Sequence, residues 1–107
     1  MKIILLLLFT LSIQCIGQNI YQADSRSQAS VVVYVTDNRS QADLVVYESS
    51  SLPYGNEGLW FFTDNRARAK NYVYFVSNRS QADLVIYMTN NRSQAGWINS
   101  SKKHLIK

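Results

Sequence analysis

The chain contains the sequence NRSQADLVVY at residues 38–47 and repeats it at residues 78–87 with one Val replaced by Ile. Weaker copies of the same unit begin at Ser25, Asn65 and Asn91. The arginines of the five copies stand at positions 26, 39, 66, 79 and 92, with separations of 13, 27, 13 and 13 residues. Because 27 is two units plus one inserted residue, the chain is built on a thirteen-residue repeat of one small structural unit.

The second half of each unit is rich in β-branched and aromatic residues. Such short apolar runs predict seven strands, at residues 20–21, 31–35, 44–47, 59–62, 72–76, 84–88 and 97–98. Both alternating faces of a run are apolar, with Val45 and Tyr47 on one face and Leu44 and Val46 on the other. The strands are therefore expected to be covered on both sides.

The first half of each unit is polar and begins with Asp, Asn or Ser, which favour a helix start or a turn. Arg, Gln and Ala then favour about one helical turn, and the Ala at positions 29, 42, 69, 82 and 95 suggests close packing against a sheet. Connectors of about seven residues are shorter than a usual parallel crossover. An antiparallel meander fits that length but leaves two open edges, so the strand direction stays open.

Composition limits the class of protein. The chain has 107 residues, of which 47% are hydrophobic and 17% charged, so it is expected to form one small folded domain rather than a disordered segment. It has one Cys, at position 15, which cannot form a disulfide within the chain.

The first seventeen residues resemble a targeting segment. Lys2 precedes an apolar run that is too short to span a bilayer but is typical of a secretory signal peptide. Cleavage after Gly17 would export the repeat domain, residues 18–107, through a Sec-type pathway to the periplasm or the medium. Lipidation of Cys15 and an uncleaved anchor are the alternatives. Cleavage would remove Cys15 and with it any thiol chemistry.

Three segments outside the plain repeat carry a family resemblance: GLWFF at residues 58–62, QADLVIY at residues 81–87, and QAGW at residues 94–97 followed by SKKHL at residues 101–105. Over residues 19–107 the chain resembles the septoil-knot domain family, small bacterial proteins of unknown function. The resemblance implies a deeply knotted single domain with a seven-crossing torus knot. Together with the repeat, it predicts a β-rich, small α+β fold of about seven short strands linked by one-turn helical connectors. The family supplies no catalytic residues.

The repeated arginines allow two interpretations. As a row of cations they could bind an anionic polymer such as nucleic acid or acidic polysaccharide. Alternatively each Arg stabilises its own unit, since Asp43 and Asp83 lie four residues after Arg39 and Arg79, a spacing that permits a local ion pair. The formal net charge of +4 falls to +3 without Lys2, which is a weak field for a polymer-binding protein.

The segment PYGNEG at residues 53–58 interrupts the repeat and holds the one Pro of the chain. Because loops often carry function, Glu57 and the nearby Trp60 are the best candidates for a functional surface, and a hydrolase centred on Glu57 is a third hypothesis. A tight turn that fits the odd unit into the fold is the structural alternative. His104, the one His of the chain, has no evident catalytic partner.

These observations favour an exported, non-enzymatic structural or interaction protein that acts as a monomer, without a cofactor or metal. The alternative is a binding module for an anionic polymer through Arg26, Arg39, Arg66, Arg79, Arg92 and the basic tail, residues 102–107. The tail itself is expected to be solvated, although it could touch anionic lipid or cell-wall polymer. The sequence gives no strong nucleic-acid or membrane signal and names no partner.

Overall fold

A computed structural model describes residues 18–51 and 57–106 of the chain. This part contains seven strands: β1 (Gln18–Gln22), β2 (Val31–Val35), β3 (Leu44–Glu48), β4 (Leu59–Phe62), β5 (Asn71–Phe75), β6 (Leu84–Met88) and β7 (Gly96–Trp97). Between and after them lie six short 3₁₀ helices: η1 (Arg26–Gln28), η2 (Arg39–Gln41), η3 (Arg66–Arg68), η4 (Arg79–Gln81), η5 (Arg92–Gln94) and η6 (Ser100–Leu105). The predicted signal segment, residues 1–17, lies outside the described residues.

The predicted strand-and-turn repeat is confirmed. Each of the seven predicted strands is present, with ends that differ by a few residues, as for β5, which begins one residue earlier than predicted. The connectors are single turns as expected, but of the tighter 3₁₀ type, which suits a three-residue run. Asn38 and Asn78 cap their turns by accepting hydrogen bonds from the N–H groups of Ser40 and Ser80, both at 3.1 Å.

Six of the strands form a closed parallel barrel. Their order is β4-β1-β5-β2-β6-β3, and a further pairing of β3 with β4 closes the ring. Tyr34 of β2 lies opposite Val85 of β6, for example, and Tyr21 of β1 lies opposite Tyr72 of β5. The short β7 pairs antiparallel with the beginning of β3. Closure removes the open edges that a flat sheet of these strands would have.

The chain builds this barrel in two interlaced circuits. The first circuit places β1, β2 and β3 with one gap between successive strands, and β4 then completes the ring. The second circuit places β5 between β1 and β2, and β6 between β2 and β3. Two neighbouring strands that belong to different circuits are therefore far apart in sequence.

Parallel strands can be joined by such short connectors because each connector that contains one of the turns η1 to η5 crosses one strand and no helical layer. The turn η1 packs on β5, η4 on β2, η2 on β6 and η5 on β3. In each case the crossed strand belongs to the other circuit. Ala42 and Ala95 are buried beneath their turns, whereas Ala29, Ala69 and Ala82 are half-buried. The expected close packing of the small residue thus holds fully at two of the five positions.

The barrel interior is the hydrophobic core. Inward side chains from all six strands are fully buried and packed together: Ile20, Val31, Val33, Leu44, Val46, Trp60, Val73, Leu84 and Ile86. A polar pair lies at the same depth, where the Asn71 side-chain N–H donates to Gln18 Oε1 at 2.9 Å. The outward residues Val32, Val45 and Val85 are also buried because the connectors cover them, whereas the outward tyrosines, such as Tyr47, are half-buried. The predicted cover on both sides is therefore complete at these three positions and partial elsewhere.

The amino-terminal end of the barrel is closed by the last part of the chain. Ile106 is buried in the core cluster, and Trp97 and Leu105 pack against it. Lys102 Nζ donates to the carbonyl oxygen of Asp83 at 2.8 Å. The prediction of a solvated basic tail is therefore corrected for Lys102, Leu105 and Ile106, because apolar burial of Ile106 draws the segment onto the barrel. Lys103 and His104 are exposed as expected.

Candidate functional site

The five repeated arginines lie on successive connectors around the outside of the barrel. Since the connectors cross neighbouring strands, the order of the arginines around the barrel is Arg66, Arg26, Arg79, Arg39 and Arg92. All five are exposed. Residues that are 13 or more positions apart in sequence are therefore brought into one row.

Two of the arginines join neighbouring connectors. Arg26 donates to the carbonyl oxygen of Gln81 at 3.2 Å, and Arg79 donates to the carbonyl and side-chain oxygens of Gln41 at 3.3 and 3.0 Å. Each of these bonds links turns of different circuits. For Arg26 and Arg79, the interpretation that each Arg stabilises its own unit is therefore corrected, because their hydrogen-bond acceptors lie on turns of the other circuit.

Arg66 makes a different contact. Its guanidinium lies over the rings of Tyr21 and Tyr72, at 5.5 and 5.8 Å from their centroids. These two rings are also packed against each other, 5.6 Å apart. A guanidinium over aromatic faces is a stabilising cation–π arrangement that leaves its edge open to solvent.

The repeated aspartates bind backbone rather than arginine. Asp43 Oδ2 accepts from the N–H of Val85 at 2.9 Å, and Asp83 Oδ2 accepts from the N–H of Val32 at 3.1 Å. Asp43 Oδ2 also lies 4.0 Å from Lys102 Nζ. The expected ion pairs with Arg39 and Arg79 are therefore replaced by contacts to the strand of the other circuit.

Glu57 and Trp60, the two candidates in the interrupted unit, lie in the structural framework. Trp97 Nε1 donates to Glu57 Oε1 at 2.7 Å, and Trp60 Nε1 donates to the Glu57 carbonyl oxygen at 3.0 Å. Trp60 is 0% exposed. The expectation that Trp60 contributes to a surface is corrected, because its bulk fills the barrel interior. The preceding residues 53–56 lie outside the described residues.

The carboxyl-terminal end of the barrel carries a cavity that the sequence analysis did not identify. Each of the six barrel strands contributes its last inward side chain to one ring, which we call the mouth: Gln22, Val35, Glu48, Phe62, Phe75 and Met88. The ring surrounds an open depression of about 370 Å³. This volume is within the usual range of small-molecule sites.

The surface of the mouth is mostly apolar and incompletely covered. Val35 is 43% exposed, and Phe62, Phe75 and Met88 are half-buried. The Phe62 and Phe75 rings lie 6.3 Å apart, and Phe62 also packs against Trp60 at 6.0 Å. Because the core below it is fully buried and apolar, a group bound in the mouth would pack on side chains that exclude water.

Glu48 is the one charged member of the mouth. In the barrel order its strand lies between those of Met88 and Phe62. Glu48 and Met88 also line an adjoining cleft of about 590 Å³, together with Tyr47, Ser49, Ser50, Thr89 and Asn90. Within residues 18–51 and 57–106, no hydrogen bond or ion pair holds the Glu48 carboxylate. The Glu48 side chain is exposed.

The thirteen-residue repeat contained a signal for the mouth. Its members are separated by 13, 13, 14, 13 and 13 residues, the same spacing as the aromatic residues one position earlier in each unit. The pattern could not be used without the strand direction, since only parallel strands bring the same repeat position to one end of a barrel.

Other site types find no support in the described part of the chain. There, no three side chains of His, Cys, Asp or Glu come together as a metal-ligand group. Among the same residues, no helix is long and apolar enough to cross a membrane. His104 is exposed on η6, at the closed end of the barrel.

Comparison with known proteins agrees with the architecture. The family model of the 7(1) septoil knot domain matches residues 17–98, a range that contains all seven strands. No curated protein and no solved structure matches the chain. The family match covers most of the sequence, and the chain therefore belongs to the septoil knot domain family.

Proposed function

We propose that this chain is an exported, non-enzymatic interaction domain that binds through the mouth of its barrel. The observation that carries the proposal is the contrast between the two barrel ends. One end is closed by Ile106 and the segment around it, whereas the other presents apolar side chains around a cavity. Parallel barrels commonly bind their ligands at the carboxyl-terminal ends of the strands.

The side chains of the mouth favour ligand binding over catalysis. Its members include one carboxylate, Glu48, and one carboxamide, Gln22, with no second acid, base or nucleophile in the ring. General acid–base catalysis needs a partner group within hydrogen-bond reach. A rigid barrel with a preformed cavity loses little conformational entropy on binding, which suits an interaction domain.

A titration with a neutral aromatic probe tests this proposal. We expect 2-phenylethanol, added to the purified protein, to shift the backbone amide resonances of the strand ends at Gln22, Val35, Phe75 and Met88. Resonances of the closed end, such as those of Trp97, should stay in place. The absence of any shift at the mouth up to about 10 mM probe would contradict the proposal, since that corresponds to less than about 3 kcal/mol of binding free energy.

Export is part of the same proposal and rests on residues 1–17. A positive residue, a short apolar run and small residues before position 18 form the pattern of a cleavable signal. Mass spectrometry of the protein recovered outside the cytoplasm should give a chain beginning at Gln18. A lipid-modified chain beginning at Cys15 would support the lipoprotein alternative instead.

Binding of an anionic polymer by the arginine row is the second candidate. It is favoured by the alignment of five exposed arginines on successive connectors. Retention on a heparin column at moderate salt, weakened by Arg39→Ala, would support it. Elution at very low salt would exclude it, because a row of phosphate or sulfate contacts produces strong salt dependence.

A further inference from the structure

We propose that the mouth binds the apolar end of a small organic amine in its ammonium form, and that Glu48 recognises the charge of the ammonium group. This inference rests on the proposed function of the mouth and adds the chemical class of its ligand. It follows from the kinds of side chain in the ring, their exposure and the unpaired charge of Glu48.

The apolar part of the ligand is specified by four ring members. Val35, Phe62, Phe75 and Met88 line most of the cavity, and three of them are half-buried around it. Removing apolar ligand surface from water against these side chains is the main favourable contribution. An ion that lacks an apolar body would gain little there.

The charge of the ligand is specified by Glu48. An ionised carboxylate accepts hydrogen bonds and donates none, and no described residue supplies a cation or donor to it. Glu48 is exposed, and Met88 and Phe62 on the flanking strands place apolar surface beside it. An ammonium group supplies both hydrogen bonds and a compensating charge to the carboxylate.

The aromatic rings reinforce the same preference. The rings of Phe62 and Phe75 both line the mouth, with centroids 6.3 Å apart and planes tilted by 43°. A cation placed over an aromatic face is attracted to it. An anion would instead be repelled by the Glu48 carboxylate and by the aromatic ring faces. The same residues therefore predict that a cation binds most tightly, a neutral molecule less tightly and an anion least tightly.

The net charge of the chain does not favour binding of a cation. The chain has a formal net charge of +4, which repels cations at a distance. Any selectivity for a cation therefore has to arise from contact with the mouth. Glu48 lies also on the wall of the adjoining cleft, where Thr89 and Asn90 offer polar atoms to the remainder of the ligand.

The test compares three probes of one shape and different charge: 2-phenylethylammonium, 2-phenylethanol and phenylacetate. Binding is followed at the Gln22, Phe75 and Met88 amide resonances of the purified protein. We expect affinity to fall in that order, with about a fivefold advantage of the cation over the neutral probe, as for a partly exposed ion pair. Equal affinity for the cation and the alcohol would overturn the inference while leaving the proposed function of the mouth intact. Absence of binding by all three would overturn both.

Variants assign the selectivity to Glu48. Glu48→Gln should remove the advantage of the cation and preserve binding of the alcohol, and Val35→Lys, at an exposed ring position, should favour phenylacetate. Asp37→Asn, an exposed carboxylate on a connector, is the matched control and should keep the wild-type order. An undiminished cation preference in Glu48→Gln would overturn the assignment.

Discussion

Asp83 holds Val32, 51 residues earlier in the chain, by two hydrogen bonds. The Asp83 carboxylate accepts from the N–H of Val32 at 3.1 Å, and the Asp83 N–H donates to the carbonyl oxygen of Val32 at 2.8 Å. Asp43 binds Val85 in the same way. Ser30, at the corresponding position, both accepts from and donates to Tyr72. The residue at this position of the repeat therefore hydrogen-bonds one circuit of the barrel to the other.

Substitutions of Asp83 should lower stability by an amount that depends on whether the new side chain can still accept a hydrogen bond. Asp83→Ala removes the acceptor of the Val32 N–H and should lower the free energy of unfolding by about 1 kcal/mol. Asp83→Asn retains an acceptor oxygen and should cost less. Urea denaturation at constant m-value measures both effects. Asp37→Ala is the control and should stay within about 0.5 kcal/mol; an equal loss there would contradict the account.

The contact between Glu57 and Trp97 predicts how the interrupted unit responds to mutation. Trp97→Phe keeps an aromatic ring but loses the N–H that donates to Glu57, and should destabilise by about 1 kcal/mol. Glu57→Gln should be tolerated because its amide oxygen still accepts that bond. Thermal unfolding compares the two variants. A large loss in Glu57→Gln, with none in Trp97→Phe, would show that the carboxylate has another role.

Two arginines of the row should differ although their sequence surroundings are the same. The Arg79 side chain donates two hydrogen bonds to Gln41, whereas the Arg39 side chain makes none within the described residues. Arg79→Ala should therefore lower the midpoint of urea unfolding, with a loss of about 1 kcal/mol, and Arg39→Ala should leave it unchanged. Equal effects would mean that the arginines act through charge alone.

Membership of the septoil knot family implies a seven-crossing torus knot, and the two interlaced circuits are compatible with such a path. Stretching a knotted chain from its ends tightens the knot, which retains part of the contour. Single-molecule extension should therefore give a final length shorter than about 3.5 Å per residue between the handles. An extension that reaches the full contour would exclude a knot.

The strands could be predicted from sequence because the repeat sets their spacing and the apolar runs set their type. Strand order could not, since a period of thirteen residues contains no information on which copies become neighbours. For that reason the sequence pairs Asp43 with Arg39 in its own unit rather than with the backbone of Val85. The role of Glu48 cannot be predicted from sequence either, because its place in the mouth depends on strands that are far apart in sequence.

The central claim is that strands of two circuits alternate around one barrel, which is what brings the six mouth residues together. Disulfide formation tests it most directly, with Cys15→Ser in each variant so that no other thiol is present. Tyr21 and Tyr72 lie opposite each other on adjacent strands, about 5 Å apart at Cα, which a disulfide can span. Tyr21 and Tyr34 are separated by β5.

Mild oxidation followed by mass spectrometry of proteolytic fragments measures the outcome. The account predicts that Tyr21→Cys combined with Tyr72→Cys forms an intramolecular disulfide, and that Tyr21→Cys combined with Tyr34→Cys does not. A disulfide in the second pair and none in the first would place consecutive strands side by side and contradict the interlaced barrel.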